Sequence, residues 1–559
     1  MARTASLRSA LRLPADFAIA AGRALAAGLA GFDLPAARPK GLAVLPRDAR
    51  PATPEVGERL RLGLFHFGGE TLETGPGGDP WNRPAPSRRF AAWLHGFGWL
   101  GDLLSAEEAG ADEALRLWLG WRRPFGRFNT FAWSGEALER RVFNLACAAP
   151  RLLAVASEAE GSALLEGLGR QARRLLRPGQ EPSRACERAA AAALAGAALA
   201  GSAGEHLLGR ALPKLSRQLP QAVLPDGVHA SRSPERGLEL FFDLLALDDA
   251  LSQRGAPSPP EASRAIDRLG SAAGFFALGG RLASFHGGEA GPARRIAAAL
   301  ALGPGDAPPK TSPYGGYHRI GDARIEVIAD SGSPVRGVHS LQACAQPGAI
   351  EAAVHGRRLI VACAWSAKSP PDAARLRGPL GGSTLSLADA WPAAPLEGAS
   401  ARLIGPRLDG PPIEVRVERR DEDEAIWLDL VHDGWRPASG LVHIRRLYVD
   451  LAVGELRGED ELKPAHRGGG MRPHPFAISF HLAPDVSASL AVDRRSALLR
   501  PAGEAVWRLR SDAAEMRLEP SVVFETGEAR QTQTVMLAGE VTPARGGRVR
   551  WKLSRDDVG

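Results

Sequence analysis

Between residues 89 and 280, apolar side chains recur every three or four positions, the spacing that gives a helix one buried face. The runs RFAAWLHGFGWLGDLL, EEAGADEALRLWLGWRR, GEALERRVFNLACAAPRLLAVA, EGSALLEGLGRQARRLL, ACERAAAAALAGAALAGSAG and EHLLGRALPKLSRQLPQAVL all carry it, punctuated by Gly or Pro. RGLELFFDLLALDDALSQRG and PPEASRAIDRLGSAAGFFALGG continue the series. Such a succession predicts helical hairpins stacked as a solenoid or closed as a toroid, with no strand among them. Ahead of it, residues 59–89 are dense in Gly, Pro and isolated aromatics and predict an irregular lead-in.

Beyond about residue 300 the period changes to two. ARIEVIADSG, RRLIVACAW, IEVRVERR, IWLDLVHDG, GLVHIRRLYVDL, FAISFHLAP, AVWRLRS and RVRWKLSR alternate apolar with polar positions, separated by turn signals at short intervals. This texture predicts a many-stranded antiparallel β-sandwich, and LGPGDAPPKTSPYGGY marks the change of domain. The expected organisation is an α+β multidomain chain: a partly helical lead-in over 1–57, a helical domain over 58–302 and a sandwich over 303–559.

A length of 559 residues with 44% apolar content supports at least two cores. The charge of +7 comes from 70 basic against 63 acidic side chains, without the dense Lys/Arg block that tracks a nucleic-acid backbone. Nearly all the basic residues are Arg, which suits carboxylate recognition, although genome composition accounts for the same bias. Cys147, Cys186, Cys344 and Cys363 show neither a CxxC nor a small-domain spacing, so reduced, structural cysteines are expected. Asp16 and Arg23 interrupt the apolar N-terminal stretch, which argues against a secretory signal or a membrane span there and favours a cytoplasmic location.

The run LPDGVHASRSPERGLELFFDLLAL, residues 224–247, resembles the loop-to-helix signature of the heparinase II/III family, a Gly-Gly-His followed after two residues by Arg-Ser-Pro. Gly227, His229, Arg232, Ser233 and Pro234 match it, with Val228 in place of the second Gly. GDPWNRPAPS, AIDRLGSAAGFFALGGRLASFHGG, YGGYHRIGDARIEVIADSGSP, GGSTLSLADA and GLVHIRRLYVDLAVGELRGEDEL extend the likeness, in order, to a bacterial branch of that family. The resemblance implies an incomplete α/α toroid followed by a β-sandwich, with an acidic polysaccharide as partner. It also implies a periplasmic location as the alternative to the cytoplasm.

Lyases of that family cleave uronate-containing chains by β-elimination. A base takes the proton beside the carboxyl group, an acid protonates the departing oxygen, and Asn, His and Tyr side chains suit those tasks. Here the family's Tyr after Ser-Pro falls on Arg236 and its Asn-His pair near Pro182 to Arg184. Its sandwich motif His-Ala-His-Ala-Asp is best matched by CAQPGAIEAAV. Cys344 then takes the catalytic His position, Gln346 a metal-binding position, Gly348 the acidic position and Gly382 that of the last zinc ligand. Zinc needs three or four close donors, so no structural zinc and no cofactor are expected. An unassisted thiol titrates at about 8.5 and needs a cationic neighbour to serve as a base.

His229 and Tyr317 are the remaining catalytic candidates, as proton carrier and phenolic donor. Arg232 and Arg236 are the candidates for holding a uronate carboxylate. Each has a structural alternative: His229 fixing its turn, Arg232 bracing the loop, Tyr317 packing at a strand end. His432 and His443 sit in matched strands and are read as packing. Two functions follow, a lyase with an altered site, or a non-catalytic descendant that binds or organises an acidic envelope glycan.

Overall fold

Ser157 caps the helix Glu158–Leu175 by a reciprocal box with Glu160, and the helix turns Leu164, Leu168, Ala172 and Leu175 inward. Ser87 caps Arg88–His95 with its side chain, and Glu107–Phe125, Gly135–Val155 and Ser202–Ala222 each turn an apolar face inward. Ala185–Ala198 is almost wholly buried. It lies so close to Ser202–Ala222 that a side chain at Gly196 would meet the Leu208 backbone nitrogen at 2.7 Å. Where a charge is buried, oxygens surround it. The Arg141 guanidinium reaches Gln171 Oε1 and the carbonyls of His95 and Ala132 at 2.6, 2.6 and 2.7 Å.

The computed structural model describes residues 2–29, 37–133, 135–466 and 469–556, so Met1 and 30–36 of the lead-in lie outside the described residues. The chain forms two compact units. One comprises Phe17–Val223 and Leu238–Gly270, and the other Met1–Asp16, Leu224–Gly237 and Ser271–Gly559. Two departures from the sequence pattern are strands among the helices: a hairpin Leu64–Phe67 with Glu70–Glu73 inside the lead-in, and a short one, Ala277–Leu278 with Arg281–Leu282. Both use paired glycines as turns, Gly68–Gly69 and Gly279–Gly280, all at positive φ. Each strand is too short to show a period. Among the described residues no helix is long and apolar enough to cross a membrane.

Besides two short two-stranded pairs, the second unit holds two large antiparallel sheets. One runs Glu515–Glu525, Glu528–Val541, His474–Leu482, Arg357–Val361, Ile350–Val354, Ile325–Asp330, Tyr317–Gly321 and Thr311–Ser312, with Leu385–Leu387 also paired to His474–Leu482. The other runs Val415–Asp421, Ala425–His432, Leu441–Asp450, Glu455–Pro464, Gly547–Arg555, Trp507–Ser511, Ser496–Pro501 and Val486–Leu490. Val327, Ile360, Phe480 and Leu537 of the first share one core with Leu428, Leu447, Leu509 and Leu553 of the second. The predicted sandwich is therefore present.

Candidate functional site

The signature loop enters the sheet unit through a tight turn. Gly227 takes φ +85° and donates its N–H to Leu224 O at 2.9 Å. Asp226 Oδ2 then accepts from Ser312 Oγ and from the Tyr314 and Gly315 backbone N–H groups at 2.7–2.8 Å, docking the turn on the first strands. The next turn is closed by His229, whose Nδ1 accepts from the Ser231 N–H at 3.1 Å and lies 2.8 Å from Ser231 Oγ. Arg232 adopts φ +59°, an uncommon left-handed conformation for a side-chain-bearing residue. Pro234 starts the helix Pro234–Gln253 immediately afterwards.

That conformation carries the Arg232 side chain into a buried centre. Its guanidinium donates to Gly315 O at 2.6 Å, Gly316 O at 2.9 Å and Ser333 O at 3.0 Å, and it pairs with Asp330. Gly316 and Gly332 make the room: a side chain at Gly332 would lie 2.5 Å from Arg232 Nη2. The other Asp330 oxygen accepts from His286 Nε2 at 2.8 Å. Tyr317, fully buried, donates its hydroxyl to the Arg232 carbonyl at 2.6 Å while the guanidinium carbon sits 4.7 Å from its ring centroid. Phe276 and Phe285 pack on the remaining faces of the ring.

Electrostatics freeze this centre in one protonation state. Burial favours a neutral Asp330, but Arg232 and then His286 outweigh it and hold the carboxyl below the usual carboxylate range. Burial and the Arg232 charge keep His286 below its ordinary value despite Asp330, so the ring is neutral near pH 7. Burial pushes the Tyr317 phenol well up. The set is thus one cation, one anion, one neutral imidazole and one protonated phenol, each bonded within the cluster.

Arg232 and Tyr317 are therefore brought together, and His229 joins them through the Arg232 N–H donated to its carbonyl at 2.7 Å. Arg236 is buried in the first turn of the following helix. Its neighbour Glu235 accepts from the Glu289 N–H at 3.0 Å and pairs with Lys368. In the helical unit, residues 182–184 form a 3-10 turn in which Arg184 grips the buried Glu139 with two bonds of 2.6 and 2.8 Å. Asp330 and His286 are the members that sequence pattern did not single out. The signal available was an acid ending the apolar run of Ile325–Asp330 and a His inside SFHGG.

The positions matched to the family's sandwich motif also converge. Cys344 is buried, and burial pushes its thiol up to about 11 even though Arg377 and the Gly287 N–H favour the thiolate. Gln346 turns its amide nitrogen to Leu376 O and Gly378 O at 2.8 and 2.9 Å. Its Cδ fills the place next to Gly382, 3.0 Å from where a Cβ there would stand. Gly348 O and Ser383 O accept from Arg445 Nη1 at 2.7 and 3.1 Å. Gln346 and Arg445 turn N–H donors to these carbonyls, and among the described residues no group of three His, Cys, Asp or Glu side chains gathers to hold a metal ion, so the residues present do not fit zinc.

A family model described as Heparinase II/III-like, C-terminal, matches residues 304–552. FtsZ-localized protein C of Caulobacter vibrioides (strain NA1000 / CB15N) is 48% identical over 531 residues, 93% of this chain and 91% of that protein. A crystal structure of heparinase III aligns with a TM-score of 0.67 at 13% identity, over 87% of this chain and 80% of that one. Heparan sulfate lyase HepC from Pedobacter heparinus aligns with a TM-score of 0.52 at 14% identity, over 89% and 82%. At such identities the structures speak for the fold, a helical toroid followed by a β-sandwich. With its sequence relative spanning nearly the whole length and its sandwich matched by the family model, the chain belongs to the heparinase II/III-like family.

Proposed function

We propose that this chain is a non-catalytic member of its family that acts by binding, in the cytoplasm, at the assembly where FtsZ gathers. The observation that carries the first half is the closed centre around Arg232. Tyr317, the phenolic candidate, spends its proton on the Arg232 carbonyl. Arg232, the carboxylate-binding candidate, spends its guanidinium on three carbonyls and Asp330. β-Elimination needs an acid and a base that reach the sugar, and here the phenol is bonded inside the cluster while the buried thiol, pushed up to about 11, is no base near neutral pH. Support for the second half is the 48% identity to FtsZ-localized protein C over almost the full length.

The test has two arms. Purified protein is incubated with heparan-type, alginate-type and capsular uronate glycans while ultraviolet absorbance is followed, and no unsaturated uronate is expected. A fluorescent fusion is expected to coincide with FtsZ in dividing cells and to disperse when FtsZ is depleted. Unsaturated product that disappears in Tyr317→Phe would replace this reading with the second one, a lyase with His229 and Tyr317 as proton carriers and Arg232 and Arg236 holding an acidic polysaccharide. Support for that reading is the fold shared with heparinase III. Salt-sensitive glycan binding without cleavage would keep the chain non-catalytic and name an acidic glycan as its ligand.

A further inference from the structure

In the sheet unit, three stretches of backbone, 376–378, 346–348 and 382–384, meet around Gln346, Gly348 and Gly382, the positions where the family resemblance places metal ligands. The carbonyls of Leu376 and Gly378 face the Gln346 amide. The carbonyls of Gly348 and Ser383 face one nitrogen of Arg445. Thr384 Oγ1 donates to Pro347 O at 2.8 Å, tying the last two stretches together. Four carbonyl oxygens thus accept from two side chains, the Gln346 amide nitrogen and the Arg445 guanidinium.

Arg445 comes from the other sheet, opposite Asp460 in the strand pairing. Nε and Nη2 bond the two Asp460 oxygens at 2.7 and 3.1 Å, and the same carboxylate accepts from His443 Nε2 at 2.8 Å and Trp551 Nε1 at 2.9 Å. Gly458 leaves the space that the Trp551 ring occupies, since a Cβ there would fall 2.1 Å from it. A planar guanidinium with five donors can serve a carboxylate on one edge and carbonyls on another, which an ammonium cannot do in a fixed plane.

We propose that Arg445 and Gln346 together replace a metal ion as the brace of this centre. The fixed positive charge comes from the guanidinium, its countercharge from Asp460, and the bonds that would have radiated from an ion run as N–H···O=C to the same turns. The sandwich is then independent of metal. Gly382 follows from the design, because the Gln346 side chain stands where a ligand from that position would project.

The full chain, expressed with added zinc, is analysed for metal content and melted with and without chelator. Substoichiometric zinc and an unchanged Tm are expected; stoichiometric zinc together with a Tm that falls on chelation overturns the proposal. Gln346→Leu, which keeps the volume and removes both donors, is expected to lower Tm by about 3–6 °C, as two orphaned buried carbonyls would. An unchanged Tm in that variant removes Gln346 from the brace. Gln346→His/Gly348→Asp/Gly382→His is refolded from denaturant with and without zinc, so that a variant unable to fold alone is still read. Zinc should raise its folded yield or its Tm while leaving the parent unmoved, and indifference to zinc overturns the assignment.

Discussion

Arg232 illustrates how one residue can be legible while its work is not. RSP before an apolar helix marks it in the sequence, and either a substrate clamp or a loop brace fits that pattern. Its partners, Asp330 and the carbonyls of Gly315, Gly316 and Ser333, lie 83 to 101 positions away, beyond any local period. His286 escaped notice for the same reason, being tied to an acid 44 positions on. Removing the cation leaves Asp330 buried without a countercharge, held only by His286 and the Gly332 N–H, so Arg232→Ala is expected to cost about 3–5 kcal/mol in denaturant unfolding. Tyr317→Phe loses one hydroxyl bond and should cost about 0.5–1.5 kcal/mol. A Tyr317→Phe loss far above that range would mean that the hydroxyl does more than brace the loop. Cys344 gives a chemical check: with its thiol at about 11 and its side chain buried, it should resist alkylation at pH 7.5 in the folded protein and react once unfolded. Rapid labelling of the native protein, mapped to Cys344, would contradict that assignment.

At the scale of elements, the central strands of the second sheet were readable because they keep one side dry. Leu441–Asp450 alternates buried and half-buried positions along its whole length. Register was not readable. It depends on the connection after Ala425–His432, which includes the short helix Arg436–Ser439 and Gly440 at φ +71°, and it sets His432 opposite His443. The Gly434 N–H donates to His432 Nδ1 at 3.2 Å, so that ring carries its proton on Nε2 and donates it in a hydrogen bond to His443 Nδ1 at 3.0 Å. His443 must then hold its own proton on Nε2, facing Asp460. Burial holds both rings below their ordinary value. The unfolded chain takes up protons near pH 6.5 that the folded chain refuses, so stability is full above about 6.5 and falls as pH drops, by up to about 1.4 kcal/mol per pH unit for each ring. Asp460, held low by Arg445 and His443 against the cost of burial, stays ionised through that window and adds its own loss only below about pH 4. Chemical denaturation at pH 7.5, 6.5 and 5.5 should show the decline. His432→Gln should shallow it by about one proton, and an identical slope in parent and variant would rule the ring out as its source.

For the whole molecule, texture separated helix from strand near residue 300 but could not show which helical-side segments pack with the strands. Leu224–Gly237 and residues 271–302 belong to the same compact unit as the sheets. They deliver Arg232 and His286 to Asp330, which itself lies inside the segment matched by the family model, 304–552. A fragment of residues 303–559 therefore keeps the core-forming strands and loses both side-chain partners of a buried carboxylate, retaining the Gly332 N–H. Such a charge must either take up a proton or draw water into the sheet, and each costs several kcal/mol. The fragment should melt well below the intact chain and be cut early by protease near residue 330. Asp330→Asn supplies the decisive comparison. In the full chain it strands the Arg232 guanidinium and should destabilise by about 3–5 kcal/mol, whereas in the fragment it removes an unpaired charge and should stabilise. Opposite signs for one substitution in two lengths of the same chain are expected only if the signature loop acts as a counterion for the sandwich. Destabilisation in both would place the work of Asp330 elsewhere.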